Sequence, residues 1–126
     1  MGADAVSIGS AAMIALNCNA DMYPEDYEKL GTAAGYCHHC HTGKCPVGVA
    51  TQDPELEKRL EPELAGKRVK NYLATLTLEL QTLARANGKS DVRNLEPEDL
   101  AALTVEAAAM ARVPLAGTNW IPGHEL

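Results

Sequence analysis

Residues 5–16 carry the sequence AVSIGSAAMIAL, in which a short apolar run passes through a glycine into a helical pattern. Residues 5–8 predict a buried strand because they are apolar or small and are followed by a turn signal. Gly9 and Ser10 predict that tight turn, and Ser10 is a candidate N-cap for the helix that follows. Free backbone N–H groups point outward where a helix begins, so this turn is a candidate anion site. An ordinary connection between a strand and a helix is the alternative interpretation.

The chain has 126 residues, of which 46% are hydrophobic and 22% are charged. This size allows one modest core, whereas a complete (β/α)8 barrel needs ~250 residues. The formal charge is −6, and phosphate binding needs clustered Lys and Arg, so we expect no nucleic-acid partner. The sequence contains neither a membrane-length apolar run nor a positively charged leader. We therefore expect a cytoplasmic protein that does not cross a membrane.

Cysteines dominate the chemistry that the sequence predicts. Three of them lie in CHHCHTGKCP, residues 37–46, with C-x2-C-x4-C spacing on a loop that contains glycine. Close spacing allows several sulfurs to approach one metal centre, and proline directly after the last cysteine is typical of iron–sulfur loops. In a protein that is not exported, cysteines act more often as ligands or reactive thiols than as disulfides. The candidate metal ligands are Cys18, Cys37, Cys40 and Cys45.

Three interpretations of this loop remain open. An iron–sulfur cluster would use three or four thiolates. A zinc site would combine the same cysteines with histidines, for which the loop offers His38, His39 and His41. Free thiols beside solvated histidines are the third possibility.

Proline and capping signals predict where short helices begin. Pro24 suits the first turn of a surface helix, and Asp53, followed by a proline and an acid, should cap another. Residues 37–52 between them should form an irregular loop. Pro62 should break the apolar run that follows Asp53.

A long helix is predicted over residues 67–86, where apolar residues recur at i, i+3, i+4 and i+7 and form a stripe that should face the core. Gly88 should end it. Two further short helices are expected over residues 97–103 and 105–112, with Thr104 as the cap between them.

Several segments resemble a known family. GADAVSIGSAAMIAL, residues 2–16, and CHTGKCPVGVATQDPEL, residues 40–56, are closely similar to the end of the FMN-binding domain of glutamate synthase large subunits. This family includes archaeal-type glutamate synthases and the large subunit of N-methylglutamate synthase. Residues 71–120 are similar to the helical tail of the same group, so the resemblance covers nearly the whole chain.

The resemblance implies a (β/α)8 barrel with FMN at the C-terminal ends of its strands. The chain would be mainly α as isolated, consisting of the last βα unit of that barrel and a helical C-terminal extension. Residues 1–52 would hold the last strand, the phosphate turn and the cysteine loop, and residues 53–126 the extension. Gly9 and Ser10 would help to bind the FMN phosphate.

The cysteine spacing departs from the family's usual pattern, which is C-x5-C-x4-C for a 3Fe–4S cluster. Cys40 and Cys45 match the last two cysteines, but Ala34 occupies the first position. Either Cys18 is the missing ligand and residues 19–36 are an insertion, or Cys37 takes that role at closer spacing. Four thiolates would permit a 4Fe–4S cluster. The favoured ligands are Cys37, Cys40 and Cys45, with Cys18 as the fourth.

The resemblance also implies a reaction and partners. The cluster would pass electrons to or from FMN, and 2-iminoglutarate, formed from 2-oxoglutarate and an ammonia or amine donor, would be reduced to glutamate or N-methylglutamate. One strand of eight cannot complete a flavin or substrate pocket, so we expect the isolated chain to be inactive. It would be a fragment or split subunit that needs an upstream barrel segment, or a separate subunit carrying it, and an electron-donor subunit or ferredoxin. The alternative is a small Cys/His metal-binding or assembly module without catalysis of its own.

Overall fold

The computed structural model describes residues 3–124. These residues contain one long α-helix, several short ones and no strand, apart from an isolated parallel bridge between Ala102 and Leu115. The α-helices are α1 (Ser10–Ala15), α2 (Pro24–Lys29), α3 (Pro54–Glu57), α4 (Pro62–Ala86) and α5 (Val105–Ala111). Short 3-10 helices cover Cys40–Thr42, Val92–Asn94 and Pro97–Asp99. No helix of the described part is long and apolar enough to cross a membrane.

The run ahead of α1 differs from its predicted form. Residues 5–8 are exposed and belong to no strand, and Val6 and Ile8 are 76% and 47% exposed. The prediction of a buried strand is therefore wrong for this chain, because a strand needs a neighbour for its backbone N–H and C=O groups. Ser10 is the first residue of α1 and not its N-cap. Gly9 takes the cap position, where no side chain accepts a hydrogen bond.

The chain forms two compact units. We call residues 7–76 the cysteine unit, and the described residues 3–6 and 77–124 the tail unit. The boundary between them falls inside α4. The division at residue 52, which depends on the barrel context, stays a prediction.

The core of the cysteine unit is built on α2, which begins at Pro24 as predicted. This helix buries Tyr27, only 1% exposed, against Cys45 and Val47. The predicted start of α3 is also confirmed, because the Asp53 side chain accepts two backbone hydrogen bonds from the first turn. Prolines and caps thus place both short helices beside the cysteine loop.

The long helix α4 begins at Pro62, earlier than the predicted residue 67. The predicted break at Pro62 is confirmed, because α3 ends at Glu57 and a separate helix starts at Pro62. Proline suits that first helical position, since it removes an N–H that would have no helical partner there. The predicted end is confirmed. Gly88 has φ +70°, and the N–H of Lys89 donates to the carbonyl of Ala84 at 2.9 Å, a typical closure of a helix C-terminus.

The apolar stripe of α4 is less buried than predicted. Leu80 and Leu83 are 44% and 59% exposed, whereas Ala84 is 2% exposed. Periodicity identifies which residues share one face of a helix, but it does not determine how much of that face is covered.

The tail unit has a small core of Ala102, Ala108 and Val113, with Leu115 packed against it. Two backbone hydrogen bonds of 2.8 Å close this core, from Ala102 N–H to Pro114 and from Ala116 N–H to Ala102. The cap predicted for α5 is confirmed, since the Thr104 hydroxyl oxygen accepts a hydrogen bond from the first turn of α5.

The helix predicted over residues 97–103 is wrong. Only the 3-10 helix Pro97–Asp99 forms, and Leu100 is extended with φ −111° and ψ 146°. This extension allows Ala102 to reach its backbone partners, and those longer-range hydrogen bonds replace the ones that a continuing helix would have made.

Candidate metal centre

The four predicted ligands lie in one unit and emerge from three local structures. Cys18 follows α1, Cys37 lies in the loop after α2, Cys40 starts the 3-10 helix Cys40–Thr42, and Cys45 follows it. All four are free thiols. Cys45 is 7% exposed, Cys18 and Cys37 are half-buried and Cys40 is exposed. Solvent exposure therefore increases across the four cysteines, from the buried Cys45 to the exposed Cys40.

Residues just after Cys18 bind the segment that carries Cys37. The Asn19 side chain accepts a hydrogen bond of 2.9 Å from the backbone N–H of Cys37. The Tyr27 hydroxyl donates to the carbonyl of Ala20 at 3.1 Å. These contacts attach the Cys18 segment to both the loop and α2, although 18 residues separate Asn19 from Cys37.

Threonines close the rest of the loop. Gly43 ends the 3-10 helix with φ +72°, and the Thr51 hydroxyl donates to the Gly43 carbonyl. The same hydroxyl oxygen accepts a hydrogen bond of 3.1 Å from the N–H of Asp53, the cap of α3. The stretch TQDPEL thus joins the base of the cysteine loop to a helix start.

Glycine is required at position 48 for a close approach. Gly48 has φ +77°, and a Cβ there would lie 2.3 Å from the carbonyl oxygen of Leu56 and 3.1 Å from the nitrogen of Leu60. The segment Cys45-Pro46-Val47-Gly48 is buried. The backbone after Cys45 therefore packs directly on the end of α3.

Arg59 makes three contacts around this segment. Its Nη1 donates to Asp26 Oδ2 and to the Pro46 carbonyl, both at 2.7 Å. Its guanidinium carbon lies 4.1 Å from the centroid of the Tyr23 ring. One side chain therefore connects α2 with the residue that follows Cys45.

Burial and neighbouring charge raise the pKa of two groups in the cysteine unit. Burial raises the pKa of Cys18, and charge on the three loop cysteines, Cys40 first, raises it further. Burial is also the largest cause that raises the pKa of Tyr27 to about 12, followed by charge on Cys37 and Cys45. The Tyr27 phenol therefore stays neutral at pH 7.

The donor set fits an iron–sulfur cluster in its chemistry, because free thiols are the ligand type that such a cluster uses and all four lie in one unit. Among residues 3–124, however, no three His, Cys, Asp or Glu side chains are arranged to hold a metal ion. The histidines lie along the loop instead. The ring centroids of His38 and His39 are 4.7 Å apart, and those of His39 and His41 are 6.3 Å apart.

The predicted phosphate turn, Gly9 and Ser10, lies at the surface. Gly9 and Ser10 are exposed, and a Cβ on Gly9 would meet no atom within 4 Å. The Gly9 carbonyl accepts the N–H of Met13 at 3.0 Å as α1 begins. The role of this turn toward an FMN phosphate stays a prediction.

Sequence reasoning did not name Asn19, Tyr27 or Arg59. A signal for Tyr27 was present, since the chain has four Tyr, one Trp and no Phe, and a small core needs large side chains. No local signal marks Arg59, whose partners Asp26 and Pro46 are 33 and 13 residues away.

Comparison with known proteins identifies the family. A family model described as a conserved region in glutamate synthase matches residues 1–90. The chain belongs to the glutamate synthase family. The resemblance inferred from residues 2–16 and 40–56 is thereby confirmed. No solved structure matches the chain.

Relatives extend the similarity into the tail unit. The chain is 61% identical to a glutamate synthase large subunit-like protein of Rhizobium meliloti (strain 1021), over 98% of this chain and 28% of that protein. It is 41% identical to the archaeal glutamate synthase (NADPH) of Methanocaldococcus jannaschii, over 75% of this chain and 16% of that protein. The chain is 37% identical to an archaeal-type glutamate synthase (NADPH) of Thermotoga maritima, over 75% of this chain and 16% of that protein. The chain therefore spans less than a third of the length of these relatives.

Proposed function

We propose that the chain forms part of a glutamate synthase-type oxidoreductase that uses FMN and an iron–sulfur cluster. The observation that carries this proposal is the match of residues 1–90 to the glutamate synthase family model, a region that contains four free thiols in one unit. When bound, these groups would supply the electrons that reduce 2-iminoglutarate, formed from 2-oxoglutarate and an ammonia or amine donor, to glutamate or N-methylglutamate.

The residues of this chain would hold the cofactors. The proposed cluster ligands are Cys18, Cys37, Cys40 and Cys45, in a 3Fe–4S or 4Fe–4S cluster. Cys45 would hold the buried side and Cys40 the solvent side, in keeping with their exposure. Gly9 and Ser10 would present backbone N–H groups to the FMN phosphate.

Other polypeptide would complete the enzyme, and the chain would be the last βα unit and helical extension of a (β/α)8 barrel. Val6 and Ile8 support this, because they are exposed, two residues apart and on one face if extended. The remaining strands would come from an upstream segment or a separate subunit, and electrons from a donor subunit or ferredoxin. The enzyme would act in the cytoplasm, and the isolated chain would be inactive.

Anaerobic reconstitution tests the cluster. The 126-residue chain is incubated with ferrous iron and sulfide, desalted, and assayed for iron, sulfide, visible absorbance and electron paramagnetic resonance. We expect a brown protein with roughly three to four irons per chain, and Cys40→Ser and Cys45→Ser should lose most of that iron. Cys18→Ser and Cys37→Ser show which of the two completes the site. A colourless protein without bound sulfide contradicts the proposal.

The second candidate is a Cys/His metal-binding or assembly module without catalysis. The row of His38, His39 and His41 beside Cys40 favours it, because imidazole and thiolate together suit zinc. In this case the chain holds one zinc and no sulfide, and His41→Ala lowers zinc affinity. The same variant is the matched control for the cluster, whose iron content it should leave unchanged.

A further inference from the structure

Arg59 is a half-buried cation, with its side chain 26% exposed. Its Nη1 donates to two acceptors at 2.7 Å, Asp26 Oδ2 and the Pro46 carbonyl, and its guanidinium lies over the Tyr23 ring. A terminal guanidinium nitrogen has two hydrogens, so both bonds can form at once. Charge-assisted bonds of this kind are about twice as strong as neutral ones.

The Pro46 carbonyl belongs to the residue directly after Cys45. The Cys45 carbonyl in turn accepts the N–H of Gly48 at 3.2 Å, so both peptide groups that follow the thiol have fixed partners. On the other side, α2 places Tyr27 against Cys45 and Asp26 against Arg59. Two adjacent residues of α2 therefore act on Cys45. Tyr27 packs against its side chain, and Asp26 forms an ion pair with Arg59, which binds the carbonyl of the next residue.

We propose that Arg59 is a positioning residue that fixes the Cys45 thiol for metal ligation by anchoring the Pro46 carbonyl to α2. This inference rests on the proposed cluster function. Arg59 acts on the backbone that carries the sulfur, and no direct contact with a cluster is required.

The planar guanidinium is central to this role. Lysine has the same charge but lacks the planar fork and the extended face that stacks on a ring. Arg59→Lys should therefore keep the attraction to Asp26 while it loses the joint hold on Pro46 and Tyr23. Its effects should fall between those of the wild type and Arg59→Ala.

Thiol labelling of the metal-free chain tests the positioning directly. Reduced protein is exposed to iodoacetamide, and mass spectrometry gives a rate for each cysteine. We expect Arg59→Ala to raise the rate at Cys45 about tenfold, the scale of losing one charge-assisted hydrogen bond, and Arg59→Lys to raise it less. The rate at Cys37 should not change. Arg93→Ala, which removes an exposed arginine bonded to Asp91 in the tail unit, is the matched control.

Two labelling results overturn the inference. One is an unchanged rate at Cys45 in both Arg59 variants. The other is an equal rise at Cys45 and Cys37, because general loosening of the unit would expose both half-buried and buried thiols. Arg59→Lys decides the matter if Arg59→Ala does not fold.

The loaded protein provides an independent readout. We expect a shifted reduction potential and a broadened electron paramagnetic resonance signal in Arg59→Lys, with Arg93→Ala identical to wild type. If the wild type takes up no cluster, the proposed function fails, while the labelling rates still test the positioning of Cys45. If the wild type takes up a cluster and both variants share its potential and its Cys45 rate, only the inference about Arg59 fails.

Discussion

The buried centre of the cysteine unit is a tyrosine, a cysteine and a valine, whereas that of the tail unit is two alanines and a valine. Side chains hold the first together across long stretches of sequence, as in the contact between Arg59 and Asp26. Backbone hydrogen bonds between Ala102 and residues 114–116 hold the second. The two units therefore depend on different parts of the chain.

The two units also differ in their relation to the proposed site, which lies in the cysteine unit alone. In the cysteine unit, the side chains that stabilise the core are the proposed ligands or touch them, so a substitution there changes stability and the site together. In the tail unit, small residues and caps set the structure, and we assign no chemistry to its core. Substitutions of both kinds can test this difference.

The largest effect is expected for Gly48→Ala. Its Cβ would lie 2.3 Å from the Leu56 carbonyl oxygen at φ +77°, so the free energy of unfolding should fall by about 3 kcal/mol or more. Gly43→Ala is the matched control, since φ is +72° but no atom lies within 4 Å of the added carbon. The free energy of unfolding of Gly43→Ala should fall by only about 1 kcal/mol, because alanine is strained in the left-handed backbone conformation. Urea unfolding measures both, and equal losses would contradict the close approach of the loop to α3.

Tyr27→Phe should have the next largest effect, and one that depends on pH. Loss of the hydroxyl bond to Ala20 should lower the free energy of unfolding at pH 7 by about 1 kcal/mol. The pKa of Tyr27 is raised to about 12, from an ordinary value of about 10. Its neutral form therefore stabilises the fold fully below pH 10, and this contribution is lost as pH rises toward 12.

The matched measurement is urea unfolding at pH 7, 9, 10 and 11 with the exposed Tyr36→Phe as control. Wild type and Tyr36→Phe should lose stability above pH 10 more steeply than Tyr27→Phe. Parallel curves for all three proteins would show that Tyr27 does not titrate differently on unfolding.

Features with local causes could be predicted from the sequence. Asp53 and Thr104 cap helices because their side chains reach backbone N–H groups two or three residues away. Gly88 ends α4 because it adopts a positive φ. Pro62 breaks the apolar run as predicted, but its position as the first residue of α4 was missed, because proline can either interrupt a helix or start one.

Features with distant causes could not be predicted. The strand expected at residues 5–8 needs neighbours that the described chain does not supply. The cysteines were identifiable as candidates from their spacing, but the way Cys45 is held depends on Tyr27 and Arg59. Arg59 contacts Asp26 across 33 residues, and no periodicity or motif encodes such a pair.

Thr104→Ala tests the framework side of the contrast. The Thr104 hydroxyl oxygen accepts a 3.2 Å hydrogen bond from Ala107 N–H, and loss of such a cap should lower the free energy of unfolding by about 1 kcal/mol. Thr104→Ser keeps the hydroxyl oxygen that accepts this hydrogen bond, so its free energy of unfolding should fall by less. Neither variant should alter iron uptake by the cysteine unit. A change in iron content would show that the two units do not separate site from framework.

The smallest effect is expected for Leu103→Gln. Leu103 is the residue just before the cap and is 88% exposed, so its side chain contributes little buried area to the tail unit. Isolated apolar residues on a surface are common, and a polar substitution there should change the free energy of unfolding by less than about 0.5 kcal/mol. Met110→Gln, at an 86% exposed position of α5, should behave the same way. Urea unfolding at two protein concentrations is the measurement. If Leu103→Gln destabilises as much as Thr104→Ala at both concentrations, the tail unit relies on a large side chain after all, and its contrast with the cysteine unit fails.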